Sequence, residues 1–274
     1  MRFAICNEVF GPRQSLEDWR HICHFVASCG YQGIEVAPFT FAENVNDIDD
    51  AQRRVLKNIA QENNLTIVAL HWLLVSPPGL HLHTRDKVLR RRTRDHLASL
   101  IDFACDLGAG IMVLGSHHQR HLEDADFAGA WQRTGEVFNS LTPILSERNV
   151  TLCPEALPPP DCDFIQRASE AAQLVEEINH PNVRLMLDAK SLSAEVQPPL
   201  QTIRELGWGI AHFHANDANR RAPGYGETDF HAIATALREV DYQNWVSVEP
   251  FDYWPDPHTL TRETLKYLRG AFAL

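Results

Sequence analysis

The chain alternates short apolar runs with longer amphipathic segments, and this alternation occurs eight times. Nearly continuous apolar runs are typical of parallel strands that are covered on both faces. The residues that close the runs, at positions 6, 35, 71, 115, 155, 188, 214 and 249, lie between 26 and 44 residues apart. Each interval has room for one crossover helix and two loops. The predicted strands are Phe3–Cys6, Gly33–Val36, Thr66–His71, Ile111–Gly115, Thr151–Glu155, Arg184–Asp188, Ala211–His214 and Val246–Glu249.

The intervening segments carry helix signals. Ser15 precedes an acidic first turn, as in a capping box, and that helix is expected to end near Gly30. Leu89–Leu107 has apolar residues at helical spacing and stops at Gly108. Eight βα units predict an α/β protein with one closed (β/α)8 barrel, a single domain over residues 1–274. An open doubly wound sheet is the alternative, but the turn at 7–12 lacks its Gly-rich phosphate fingerprint.

Composition excludes several classes of protein. With 25 Lys plus Arg against 36 Asp plus Glu, the 274-residue chain has a net charge of −11. This charge argues against a nucleic-acid partner, because such binding needs a positive surface. The sequence has no apolar stretch of about 18 residues and no signal-peptide pattern, so we expect no membrane partner and a cytoplasmic location. The six scattered cysteines are expected to be reduced.

Four consecutive strands close on an ionisable residue, namely Glu155, Asp188, His214 and Glu249. The carboxyl ends of barrel strands line the mouth where active sites lie, so these side chains are expected to converge. Three carboxylates and one imidazole would repel one another strongly unless a divalent cation neutralised them. The sequence therefore predicts one divalent metal ion. The carboxylate majority favours a hard ion, for which we take Mn²⁺, with Mg²⁺, Co²⁺ or Zn²⁺ as alternatives.

Strand alternation extends this prediction one layer deeper into the barrel. If the four strand-end residues point inward, the residues two positions earlier also point inward. His212 should then be a buried histidine below the metal rather than a ligand. A single Glu at a strand end is more often a helix cap or half of a salt bridge, so the metal hypothesis depends on all four residues acting together. The deeper residues are Cys153, Met186, His212 and Ser247.

Several segments together resemble the xylose isomerase-like barrel superfamily, and within it the ketose 3-epimerase and hydroxypyruvate isomerase group. The resemblance spans nearly the whole chain, and the Arg-x-x-Pro-Gly-x-Gly run after the seventh strand is its most specific part. The segments that carry it are Gly33-Ile34-Glu35, Ala69-Leu70-His71-Trp72, Glu155, Asp188, His212-Phe213-His214, Asn219–Gly226 and Val248-Glu249-Pro250.

The resemblance implies an isomerase with a small sugar or keto-acid substrate. In such enzymes the residues matching Glu155, Asp188, His214 and Glu249 bind one metal, and the two glutamates also move the substrate proton. The chemistry would be proton abstraction next to a carbonyl through a metal-stabilised enediolate, with the glutamates on opposite faces of the substrate. Substrate handedness decides which glutamate is the base. A homodimer or homotetramer is compatible with this reading.

Each of three further positions is compatible with two roles. Arg220, matching the family's substrate-contacting Arg, could bind substrate oxygens, with a loop salt bridge as the alternative. His71 closes the third strand and could bind a substrate hydroxyl, although a purely structural role is equally compatible. Glu35 closes the second strand and is expected to orient either Arg220 or a neighbouring metal ligand. No other cofactor site is predicted.

The sequence departs from the family pattern beside the proposed ligands. Ser191 stands where many relatives have a substrate-contacting His, and Pro158 stands where Asn is frequent. These differences leave the metal ligands intact but change the sugar contacts. Lys190 adds a positive charge that is interpreted as a rim residue or as a contact for phosphate or carboxylate. A second polar cluster after the fourth strand, His117, His118 and His121, is interpreted as rim because no acid is assigned near it.

Other functions fit the same barrel. A metal-dependent dehydratase of the inosose or dehydroshikimate type would enolise the substrate and then expel a hydroxyl. An apurinic endonuclease would need additional His and Asp ligands for three zinc ions, which Ser191 and the loop after His214 do not supply, and a less acidic surface. A barrel that binds a sugar without turnover would not need two proton carriers.

Overall fold

The eight predicted strands form one parallel sheet that curls into a barrel. The computed structural model describes residues 1–273. Its strands are β1 (Arg2–Cys6), β2 (Gly33–Val36), β3 (Thr66–Leu70), β4 (Ile111–Leu114), β5 (Thr151–Pro154), β6 (Leu185–Asp188), β7 (Ile210–Ala215) and β8 (Trp245–Val248). They pair in the order β5-β4-β3-β2-β1-β8-β7-β6. Between β5 and β6 the seam is a single bridge from Leu152 to Val183. The barrel prediction is therefore confirmed, and the open doubly wound alternative is excluded.

Nine α-helices occur among residues 1–273, and most of them connect one strand to the next. They are α1 (Leu16–Cys29), α2 (Asp50–Glu62), α3 (Lys87–Leu107), α4 (Phe127–Arg148), α5 (Ala168–Ile178), α6 (Ala189–Ser193), α7 (Pro199–Leu206), α8 (Phe230–Glu239) and α9 (Pro257–Phe272). The short α6 follows β6 directly and precedes the crossover helix α7. Because α6 begins beside Asp188, it forms part of the barrel mouth.

Local capping explains where the predicted helices begin and end. Ser15 and Asp18 form a reciprocal capping box on α1, and Gly30 ends the helix with a φ of 99°. Helix α3 begins two residues before the predicted start because the Asp86 side chain accepts hydrogen bonds from the first-turn amides. It ends at Gly108 with a φ of 80°, as predicted. These caps fix the lengths of the crossovers and hence the positions of the strand ends.

The barrel interior is filled by side chains, as expected for eight strands. The predicted deeper layer is buried throughout, and its members Cys153, Met186, His212 and Ser247 are each at most 1% exposed. Cys153 and Met186 pack with Val113 in a small apolar cluster. This packed floor leaves the polar strand ends at the mouth as the part of the interior open to a ligand.

The structure also bears on the predictions about the cysteines and about membrane-spanning segments. All six cysteines are free, as expected for reduced thiols. Within residues 1–273, none of the helices combines the length and the apolar character that crossing a bilayer requires.

Candidate functional site

The four strand-end residues meet at the mouth of the barrel. Glu155 and Glu249 directly follow β5 and β8, Asp188 ends β6, and His214 lies near the end of β7. Each side chain offers one ligand atom, and these atoms all lie within 4.8 Å of one another. All four residues are buried, with exposures between 0% and 5%. Residues separated by up to 94 positions in the chain are thus brought to one point, as the parallel strand ends predict.

Two orphaned atoms show that this group fits a cation. His214 Nδ1 and Glu249 Oε2 are 2.8 Å apart without the geometry of a hydrogen bond, and neither has another hydrogen-bond partner although both are buried. Unpaired polar atoms in a protein interior are costly, so such a pair needs an explanation. An imidazole nitrogen and a carboxylate oxygen that face the same point are suitable ligand atoms for a divalent ion. The residues present therefore fit the predicted metal.

Glu35 holds the far side of the His214 ring. His214 Nε2 donates to Glu35 Oε1 at 3.0 Å, and His212 Nε2 donates to Glu35 Oε2 at 2.9 Å. A proton on Nε2 leaves the Nδ1 lone pair of His214 free to bind a metal. Of the two partners expected for Glu35, the neighbouring ligand is found. Arg220 is not, because it lies at the rim, where its guanidinium contacts Asp161 at 3.6 Å.

Asp188 is held by two hydrogen bonds. Its Oδ1 accepts from the Ser191 backbone amide at 2.7 Å, and its Oδ2 accepts from Asn216 Nδ2 at 2.6 Å. Asn216 is fully buried, also donates to the Glu249 carbonyl, and accepts from the Lys190 amide. The Asn216 side chain therefore links Asp188, at the end of β6, to Glu249, which follows β8. Its position two residues after His214 is the only sequence signal that could have identified it.

Gly115 makes space for the Glu155 carboxylate. A Cβ atom at position 115 would collide with Glu155 Oε2, whereas the same addition at Gly110, just before β4, would meet no atom within 4 Å. The glycine that closes β4 is therefore a requirement of the site rather than of the turn. Glu155 depends on this gap for its orientation into the mouth.

Crowding of carboxylates changes their protonation. Burial, together with the nearby Glu249 and Asp188 carboxylates, raises the pKa of Glu155 to about 8. Burial also raises the pKa of Glu249. For His214, burial opposes the charged form, but the Glu249 and Glu35 carboxylates outweigh it and raise its pKa well above the ordinary value. Without a cation, the site thus retains protons at neutral pH, and a bound cation would replace them.

His71 lies at the edge of the same cluster. It is 1% exposed, and its Nε2 is 2.9 Å from Glu8 Oε2. Burial lowers the pKa of His71, but Glu8 more than compensates and raises it to about 9. Its Nδ1 has no hydrogen-bond partner and lies 3.6 Å from Glu35 Oε1. Glu8, in the turn after β1, gave no sequence signal because no strand ends on it.

The opening above the cluster is a cavity of about 80 Å³ with a charged and aromatic rim. Lys190 Nζ lies 2.6 Å from Asp161, and the Lys190 and Arg220 cations lie 5.4 and 5.1 Å from the Phe251 ring centre. Lys190 thus lies at the rim and lines the cavity, and its role as a contact for phosphate or carboxylate stays a prediction. Trp72 completes the wall with a φ of 54°, and Arg220 has a φ of 74°. Such left-handed backbone at non-glycine residues is strained and is frequent at functional sites.

A family profile described as "Xylose isomerase-like TIM barrel" matches residues 23–271. The chain belongs to this family. The predicted resemblance is thereby confirmed. Among curated relatives, a D-psicose 3-epimerase from Agrobacterium fabrum is 27% identical over 234 residues, covering 82% of this chain and 77% of that protein. A fructoselysine 3-epimerase from Shigella flexneri is 21% identical over 259 residues, covering 91% and 92%. These relatives are sugar epimerases, which are isomerases.

Solved structures share the fold of this family member. A crystal structure of D-psicose 3-epimerase in the presence of D-fructose superposes with a TM-score of 0.87 at 22% identity, covering 99% of each chain. A structure of the IolI protein with a bound zinc atom superposes with a TM-score of 0.79 at 18% identity, covering 99% of this chain and 98% of that one. The eight-stranded barrel therefore persists among proteins of low sequence identity.

Proposed function

We propose that the protein is a divalent-metal-dependent epimerase or isomerase of a ketose or related keto-acid. The observation that carries the proposal is the convergence of four buried donor residues on one point, where His214 Nδ1 and Glu249 Oε2 face each other without hydrogen-bond geometry. The named epimerase relatives support the reaction class, and their sugar substrates support the substrate class.

The proposed metal ligands are Glu155, Asp188, His214 and Glu249. When bound, a divalent ion would polarise the substrate carbonyl and so acidify the neighbouring C–H bond. Three carboxylates with one imidazole favour a hard ion, and we propose Mn²⁺. Glu35 and Asn216 would keep His214 and Asp188 oriented toward the ion, as hydrogen-bonding partners of ligands do elsewhere.

The two glutamates would move the proton. Both carboxylates line the cavity, and they belong to strands on different sides of the barrel mouth. One would remove the carbon-bound proton next to the carbonyl, and the other would return a proton to the opposite face. His71 and Arg220 also line the cavity and would bind substrate oxygens. Trp72 and Phe251 would limit the access of water from the rim.

The test combines turnover with isotope exchange. The Mn²⁺-loaded protein, incubated with a panel of ketoses in D₂O, should yield a C3 epimer that carries one solvent deuterium at the inverted carbon, detected by NMR. Glu155→Gln and Glu249→Gln should each lower kcat by about 10²- to 10⁴-fold. Glu176→Gln, an exposed site on α5, serves as the control. Metal content measured on each variant separates loss of the proton carrier from loss of the ion.

Two outcomes would contradict the proposal. Full turnover by Glu155→Gln would exclude the two-base scheme. Formation of an ultraviolet-absorbing enone or aromatic product, without an epimer, would instead assign a dehydratase.

A further inference from the structure

A second group of metal-binding side chains lies outside the carboxylate cluster. His121, Cys162 and Asp163 each offer one ligand atom, and these atoms lie within 4.8 Å of one another. His121 Nδ1 is already 3.1 Å from Asp163 Oδ1. The sequence alone assigns no acid near the histidines after β4 and therefore predicts plain rim residues. The fold supplies both an acid and a thiol from the loop after β5.

The three side chains are held in place by their surroundings. Asp163 Oδ1 accepts a hydrogen bond from the Leu122 amide at 2.9 Å, which fixes the carboxylate beside His121. The His121 carbonyl lies 3.1 Å from His81 Nε2, so the loop after β3 supports the backbone of the histidine. Cys162 is 2% exposed, whereas the His121 and Asp163 side chains are 39% and 49% exposed. An ion could therefore enter from solvent and reach an inner sulfur.

The Cys162 sulfur contacts the backbone of both loops that flank the site. Its thiol donates to the Phe164 carbonyl at 3.3 Å and lies 4.0 Å from the His117 carbonyl oxygen. The thiolate is the form of cysteine that binds metals, so an ion bound here would replace the thiol proton.

We propose that His121, Cys162 and Asp163 form a second metal site, selective for Zn²⁺ or Co²⁺ and separate from the carboxylate site. A nitrogen, a sulfur and an oxygen donor suit these borderline ions better than Mn²⁺ or Mg²⁺. Water would complete a tetrahedral arrangement, as in zinc sites with three protein ligands. Metal–ligand distances of about 2.0 to 2.3 Å require the two exposed side chains to close further on the sulfur.

The proposed second metal site would connect two loops at the rim of the active-site cavity. His117 and Asp161 line the active-site cavity. His121 comes four residues after His117, and Cys162 comes directly after Asp161. An ion held by the loops after β4 and β5 would therefore fasten two sides of the cavity rim to each other. This inference does not depend on the proposed epimerase activity.

Cobalt provides a direct test because its bond to a thiolate absorbs in the near ultraviolet. The proposed ligands of the carboxylate site include no cysteine, so Co²⁺ bound there gives no such band. The metal-free full-length protein, kept reduced without a chelating thiol, is titrated with Co²⁺. We expect the band to appear in the wild type and in Cys29→Ser, a cysteine outside the groups of donors. We expect no band in Cys162→Ser, and a Zn²⁺ content that is lower than in the wild type by one ion per chain.

A conservative variant covers the case in which Cys162→Ser fails to fold. Asp163→Asn retains an oxygen for the Leu122 amide but loses the carboxylate charge, so the affinity for Co²⁺, followed by the same band, should fall about tenfold or more. Absence of the band in the wild type with excess Co²⁺ would overturn the proposal. Survival of the band in Cys162→Ser, or unchanged affinity in Asp163→Asn, would overturn it as well.

Discussion

Glu35 and His214 are joined by a hydrogen bond of 3.0 Å deep inside the barrel, on the side of the ring opposite Glu249. Burial would raise the pKa of Glu35, but the adjacent His212 and His214 outweigh it and hold that pKa well below its usual range. An ionised carboxylate that accepts from two Nε2–H groups selects one tautomer for each ring. Glu35 on β2 therefore determines which ring nitrogen His214 on β7 presents to the cavity.

Glu35→Gln should weaken metal binding without removing a proposed ligand. An amide has only one oxygen acceptor, so its nitrogen would oppose one of the two Nε2–H groups, and the His214 ring would lose its fixed orientation. The dissociation constant for Mn²⁺ should rise about 10- to 100-fold. Calorimetric titration checks this change, with exposed Glu43→Gln as the charge-matched control. Equal affinities of the two variants would show that Glu35 does not act through the ligand.

Gly115→Ala should separate the position of Glu155 from its chemistry. The added Cβ would push the carboxylate away from the cavity, and a displacement of about 1 Å at a reacting group can lower the rate about 100-fold. Gly110→Ala, where the added atom meets nothing within 4 Å, is the matched control. The measurement is kcat/KM on the best ketose, with thermal melting to verify the fold. A Gly115→Ala enzyme as active as Gly110→Ala would disprove this steric requirement.

The barrel and the convergence of the four proposed ligands could be predicted because both depend on strand ends. A parallel strand that is buried on both faces gives a continuous apolar run, and the polar residue that closes it must lie at the mouth. Glu155, Asp188, His214 and Glu249 were found in this way, and so was the buried position of His212.

The partners of His71 and of the rim residue Lys190 could not be predicted, since they come from turns and loops. Glu8 reaches His71 from the turn after β1, and Asp161 reaches Lys190 from a loop that has no periodic pattern. The strained backbone at Trp72 is also invisible in sequence, because a non-glycine residue with positive φ carries no compositional signal. Pairings of this kind are fixed by tertiary packing rather than by local propensity.

Asn216→Asp should damage the site by adding charge where an amide now donates. The new carboxylate would face Asp188 Oδ2 across the 2.6 Å now occupied by a hydrogen bond, so one of the two acids would have to hold a proton. Mn²⁺ affinity should fall about 10- to 100-fold. Asn46→Asp, on an exposed turn, adds the same charge elsewhere and should leave the affinity unchanged. Calorimetry on both variants decides whether Asn216 acts specifically on Asp188.

Metal binding should release protons, and the number should decrease as the pH rises. The pKa of Glu155 in the metal-free protein is raised to about 8, so the carboxyl is mostly protonated at pH 7, and a cation that binds the ionised form must expel that proton. Between about pH 6.5 and about pH 8.5, the release assigned to Glu155 should fall by about 0.7 proton, because the group loses its proton without metal at the higher pH. Titration of Mn²⁺ in buffers of different ionisation enthalpy measures this number. A release that stays constant over this interval would mean that Glu155 is already ionised in the metal-free site, and that the neighbouring carboxylates do not raise its pKa.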